Sequence, residues 1–358
     1  MIVYLFIATF IYWGAWTKYS SKVWKIGLLF LWFFIAFRAL NLGGSDGYVY
    51  QSFYEIVPQL AEFPVNPFQY EKSYIATSGF GWGYAIICSV AKMFGPYEFF
   101  QVMYTSLMFS VLYLIIKEIK INDCNRCLFL FSYLTLQLLW YFCGLLRQSL
   151  ANLIVWFVLV HRFQKHGWIK RVLLMIVAYT IHTSVLACAI GYIFLIMIYE
   201  VPEKIVAGTS LAVGTFVFVL GDRLVSNVIS WMMLFVDDRY EMYSGNTDKS
   251  NAIYFVLRGL ILILMLVQFK RLPEKNRKRM LDSSALCFFL GSINHALAVR
   301  MIEYFMIGNY YGLGLCVNAF SKRSINVVRL IVYLALMMVF VRFFFVNGSY
   351  LQDYAFFF

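Results

Sequence analysis

Long apolar runs alternate with short polar breaks along this chain. Runs near 2–16, 24–41, 98–116, 127–145, 148–163, 168–181, 184–199, 204–221, 252–269, 281–299, 303–320 and 325–345 predict membrane helices. A spanning helix needs roughly 17–25 mostly apolar residues; several runs fall short of that, so their boundaries are soft. A further apolar stretch, 80–94, is shorter and stops at Gly95-Pro96. No fixed-period repeat, low-complexity tract or Pro/Ser-rich linker interrupts the pattern. The expected fold is therefore an all-α polytopic membrane protein with about twelve transmembrane helices. The whole of 1–358 forms one integral membrane domain, with long outer loops at 43–79 and 222–251. The opening run, MIVYLFIATFIYWGAW, lacks the basic start and small-residue cleavage site of a secretory signal and is expected to remain as the first membrane helix.

Composition supports that picture. The chain is 62% hydrophobic and only 13% charged, against about 25% charged in soluble domains. So little charge cannot cover a globule in water, and lipid must be the solvent for most of the surface. A net charge of +12 would point to nucleic acid in a soluble protein, but in a membrane protein cytoplasmic loops rich in Lys and Arg supply it, so no nucleic-acid partner is expected. With the N-terminus outside and 80–94 not crossing, the inner loops sum to +14 and the outer ones to −2, which matches the chain's +12. If 80–94 crossed, the two most basic loops, 162–171 and 270–282, would move outside. The segment is therefore expected to be re-entrant or interfacial, where protein or water covers its backbone. The seven cysteines sit mostly in apolar segments, and Cys124/Cys127 is a lone C-x-x-C pair, so all seven read as packing residues.

In this topology the unusual polar residues collect on the outer side. Arg38 and Asp46 flank the exit FRALNLGGSDGYVY, Arg147 sits in GLLRQSLA, and His182 breaks YTIHTSV. Arg239 and Tyr240 lie in LFVDDRYEMYSGN, and His295, Arg300 and Tyr304 in INHALAVRMIEYF. Charges at membrane depth are costly and line cavities or pair with one another. Four arginines, Arg38, Arg147, Arg239 and Arg300, point to a multiply charged anion, whose phosphate oxygens match guanidinium forks. An anion reached from outside within a membrane points to a lipid diphosphate head group. Three have a bland alternative: Arg38 and Arg300 can snorkel at helix ends, and Arg239 can pair with Asp237 or Asp238, whereas the turn around Arg147 has no other charge. Asp46 reads either as a proton acceptor or as the turn residue of S-D-G. His182 reads as a general base or as a histidine satisfying backbone at a helix break, and His295 is similarly open. Tyr48, Tyr50, Gln148, Tyr240, His295 and Tyr304 are candidate substrate contacts, although tyrosine also belongs at the membrane interface. No H-E-x-x-H, Walker loop, G-x-S-x-G or D-x-D occurs, so neither a metal ligand set nor a cofactor is expected.

The motifs occur in an order that resembles EpsG-like proteins. FRALNLGGSDGYVYQSFYE is similar to that family's opening motif, SGFGWGYAIICSVAKMFG to its glycine-tyrosine segment, LLRQSLA to its arginine-glutamine helix start, YTIHTSV to its histidine-serine element and RMIEYF to its late arginine-tyrosine motif. The GGSD spacing departs from the single Gly-x-Asp expected there. EpsG-like proteins belong with Wzy-type polysaccharide polymerases. The resemblance implies a lipid-dependent glycosyltransferase of GT-C-like architecture in a bacterial cytoplasmic membrane, active on the outer face. It implies inverting transfer between two undecaprenyl-diphosphate-linked oligosaccharides and leaves room for chain-length-regulator and flippase partners. Arg38, Asp46, Arg147, His182 and Arg300 fall on motif positions; Arg239 is added from topology alone. A ligase using the same lipid-linked donor would need the same arginines. A flippase would need a charged path opening to the cytoplasm, and an O-acyltransferase a histidine fed from inside; the one-sided polar residues fit neither.

Overall fold

The structure, a computed structural model, describes residues 1–119, 121–161, 167–220, 252–271, 274–293, 301–318, 320, 325–346, 349–352 and 354–357. Among these residues the regular structure is helical, with no strand; Arg38 and Phe356 form an isolated antiparallel bridge. The chain divides into two compact units, Met1–Leu186 with Asn326–Phe358, and Ala187–Ile325.

The first unit begins with α1 (Ile2–Gly14), α2 (Ser20–Ala36), α3 (Gly44–Ile56), the short α4 (Pro67–Glu71), α5 (Trp82–Lys92) and α6 (Tyr97–Glu118). Next, α7 (Asp123–Tyr133) continues through two π-helical segments, Leu134–Leu138 and Trp140–Gly144. One residue, Leu145, then separates them from α8 (Leu146–His161), and α9 (Trp168–Ile181) follows. The second unit contains most of α10 (Val185–Met197), then α11 (Glu203–Leu220), α12 (Ala252–Val267), α13 (Glu274–Ser292) and α14 (Ile307–Asn318). There α13 packs against α11, α12 and α14. α15 (Ile325–Val346) and the tail after it belong almost wholly to the first unit.

Apolar residues cover both sides of these helices. On α1, Tyr4, Ile7, Ala8, Ile11 and Tyr12 are buried at helical spacing, while Ile2, Phe6 and Trp13 are exposed. On α15, Leu336, Phe340, Phe343 and Phe344 are buried, while Val327, Leu330, Ile331, Leu334 and Met338 are exposed. Soluble monomers rarely expose such continuous apolar surface, and hydrocarbon accommodates it. Two helices, α6 and α15, are long and apolar enough to cross a membrane by length and composition.

The helices depart from the sequence pattern in two places. Asp46, expected on the outer loop 43–79, lies in the first turn of α3. Gly44 adopts φ +63° at the start of that helix, a conformation that disfavours a side chain, and an acidic residue near a helix N-terminus is favoured by the dipole. The basic stretch 270–282, expected as a loop, is helical from Glu274. Lys and Arg are good helix formers, so charge alone does not stop a helix. Ion pairs hold this end: Lys278 to Asp282 at 3.0 Å within α13, and Arg277 to Glu203 of α11 at 3.3 Å. The outer loop 222–251 lies outside the described residues.

The segment 80–94 contains α5, whose 11 residues are too short to cross a bilayer. Lys92 at its end donates from Nζ to the carbonyls of Tyr54 (3.1 Å), Glu55 (2.7 Å) and Val57 (2.7 Å), tying α5 to the C-terminal end of α3.

Candidate functional site

Several of the predicted residues meet around the turn between the second π-helical segment and α8. The second π-helical segment ends at Gly144, and the last carbonyls of a helix have no partner further along it. One of these, the Cys143 carbonyl, accepts from Arg38 Nη2 at 3.2 Å, while Arg38 Nη1 donates to Ile35 O at 2.6 Å. Arg38 is 1% exposed, and its Nε has no hydrogen-bond partner. Its side chain is thus buried and does not reach solvent as a snorkelling arginine would.

Its backbone is fixed from two sides. Ala39 N donates to Ala355 O at 2.8 Å and Phe357 N to Phe37 O at 3.2 Å, which pairs the C-terminal tail with this segment. Gln101 Nε2 on α6 donates to Ala36 O (2.9 Å) and Arg38 O (2.8 Å).

Arg147, in the first turn of α8, donates Nη1 to Gly79 O at 3.1 Å, and its guanidinium lies 4.0 Å from the centre of the Phe80 ring. Phe80 stacks on Phe53 of α3 at 3.9 Å and meets Tyr50 edge-on at 5.8 Å. Tyr50 is buried beside Arg147, one helical turn after Asp46. Burial raises its phenol's pKa, Arg147 opposes that shift and Asp46 adds to it. The tail brings Tyr350 to the same place, with its ring against Gly44. Burial raises the Tyr350 phenol's pKa, Cys143 and then Asp46 add to the rise, and Arg38 opposes it. Arg38, Asp46, Tyr50 and Arg147 therefore belong to one neighbourhood. No carboxylate among the described residues lies within ion-pair distance of either arginine.

His182 joins this neighbourhood through the 79–83 strap. The Gly81 backbone passes so close to the Thr180 and Ile181 carbonyls that a β-carbon would overlap Thr180 O. Arg147 therefore sits at one end of the strap, and the residues leading into His182 pack on the other. His182 has extended backbone (φ −148°, ψ 118°) where α9 ends. Its Nδ1 lies 2.7 Å from Ser184 Oγ and 3.3 Å from Ser184 N. Because the backbone N–H can only donate, Nδ1 is an acceptor there, leaving Nε2 to carry the proton of the neutral ring.

The remaining predicted residues are more scattered. Gln148 is buried beside Arg147 in α8. Tyr48 is 54% exposed; two residues from both Asp46 and Tyr50, it points away from the helix face they share. Tyr304 is fully buried in the second unit. Arg239, Tyr240, His295 and Arg300 lie outside the described residues.

Three side chains were not singled out by the sequence, two of them in this neighbourhood and one in the second unit. Phe80 and Tyr350 carry no signal in a chain that is 20% aromatic. Arg258 had one: it is the lone charge in the apolar run AIYFVLRGLILILMLV, and it is buried in α12.

Nothing matches among curated proteins or solved structures. The model of the EpsG family matches residues 21–356. A match over nearly the whole chain places this protein in the EpsG family, a Wzy-like polymerase family associated with polysaccharide biosynthesis in membranes.

Proposed function

We propose that the chain joins oligosaccharide repeat units carried on undecaprenyl diphosphate, by metal-independent, inverting glycosyl transfer on the extracytoplasmic face of a bacterial cytoplasmic membrane. About twelve crossings with the N-terminus outside, a re-entrant or interfacial 80–94 and a GT-C-like architecture over one membrane domain go with it. One observation carries it: Arg38 and Arg147 both lie at the start of α8 with carbonyls and an aromatic ring as partners, and among the described residues no carboxylate is within ion-pair distance of either. A site with that excess charge suits a diphosphate.

The donor's diphosphate is the leaving group. Arg147 and Arg38, with Arg239 and Arg300, stabilise the charge that grows on it as its bond to the anomeric carbon breaks. The acceptor hydroxyl attacks from the opposite face and forms the new C–O bond. Its proton passes to the Asp46 carboxylate or, relayed by the Ser184 hydroxyl, to Nδ1 of His182, which act as alternative bases. Tyr50, Gln148 and Tyr304 are assigned to substrate contact, with Tyr48, Tyr240 and His295. Holding two lipid-anchored substrates together supplies much of the rate through proximity. Chain-length regulators and flippases fit as partners of such an enzyme.

The experiment is reconstitution in vesicles with a lipid-linked repeat unit and glycan sizing on a gel. A ladder of lengths supports polymerisation. A single transfer to another acceptor indicates a ligase, and movement of the repeat unit without a new bond indicates a flippase; either result replaces the reading.

A further inference from the structure

Arg258 is the only charged residue of α12 and lies 6% exposed in the second unit. Six residues into the helix, it sits about 9 Å along the axis from Ala252. Its Nε has no hydrogen-bond partner, and no carboxylate among the described residues is within ion-pair distance. The nearest aromatic face, Tyr254, is 6.0 Å from the guanidinium carbon, at the limit of a useful cation–π contact. Lipid is a poor alternative to these missing partners, because an arginine at this depth costs several kcal/mol unless something compensates it.

The surroundings are shaped for a guanidinium. Gly291, at the end of α13, leaves the space into which Nη1 points; a β-carbon there would come within 3.1 Å of it. Ile302 closes the same corner. Glu303 is buried in the same unit.

We propose that Arg258 is an anion-binding residue of the second unit, holding the phosphate headgroup of a lipid-linked substrate beneath the membrane surface. This rests on the function proposed above and extends it to a guanidinium outside the Arg38–Arg147 neighbourhood. Phosphate oxygens supply a bidentate acceptor of a kind that no carboxylate among the described residues provides to this guanidinium. Bound substrate then offsets the cost of burying its charge.

The test uses the purified full chain in nanodiscs, with undecaprenyl diphosphate as the probe. Affinity and melting temperature are measured for wild type, Arg258→Met, Arg258→Lys and Arg147→Ala. Removing an unpaired buried charge stabilises a fold, so Arg258→Met without lipid should melt about 2–4 °C above wild type. The same variant should bind the probe at least tenfold more weakly, and Arg258→Lys should fall between the two. Wild-type affinity in Arg258→Met, with loss in Arg147→Ala, overturns this proposal and leaves the polymerase reading standing. A variant that melts lower or does not fold makes Arg258 a packing partner, and that also overturns it. If wild type does not bind the probe, both readings fall.

Discussion

Asp46 stands one helical turn before Tyr50, with Tyr50 against Arg147 and Tyr350 arriving from the C-terminal tail. If its carboxylate takes the acceptor's proton, Asp46→Asn should cut the elongation rate by about 100-fold or more while leaving the apparent KM for lipid-linked substrate nearly unchanged. Equal losses in rate and binding would instead make Asp46 an organiser of the arginines. The tyrosines of the 43–79 segment give a pH prediction. Burial pushes the Tyr54 phenol up to about 12 and raises the pKa values of Tyr50 and Tyr70 as well. A folded-state pKa above the unfolded value near 10 stabilises the fold fully below pH 10, and that contribution is lost as pH rises through the folded value. Melting temperature should therefore hold from pH 7 to 9 and fall between pH 10 and 12. Tyr54→Phe, which also loses the 2.7 Å bond to Gly95 O, should flatten part of that fall.

Between elements, two contacts fix where the site residues point. Lys92 on α5 satisfies three carbonyls at the end of α3, the helix that carries Asp46 and Tyr50. Lys92→Met should cost about 1.5–3 kcal/mol, read as a lower melting temperature in detergent. Gly81 allows α5 to begin directly against the end of α9. Gly81→Ala should push that junction apart, separating His182 from the strap that Arg147 holds, and reduce polymer at an unchanged protein level on immunoblot. The long apolar runs were legible: 98–116 and 325–345 fall within two residues of α6 and α15. The start of α3 was not, because Gly-Ser-Asp-Gly is both a turn signature and an acceptable first helical turn. Neither were the π-helical segments, since the same apolar run serves α and π winding equally.

Across the whole molecule, apolar surface on helices such as α1 and α15 fits a chain dissolved in lipid, and the family match fits a polysaccharide polymerase. The motif order along the sequence was enough to indicate the family. The neighbourhood of Arg38, Asp46, Tyr50 and Arg147 required the fold, because it joins α2, α3, α8 and the tail across more than a hundred residues of sequence. Arg258 is a lone charge in an apolar run of the sequence, but its burial against Gly291 became visible only once α13 was packed beside it. If the guanidinium charge at the start of α8 grips a lipid diphosphate, Arg147 is indispensable to polymer growth. The most direct test is the glycan ladder made by Arg147→Ala in vesicles supplied with a lipid-linked repeat unit. Wild type should give a full ladder and the folded variant only unextended repeat units; a wild-type ladder from Arg147→Ala would contradict that role.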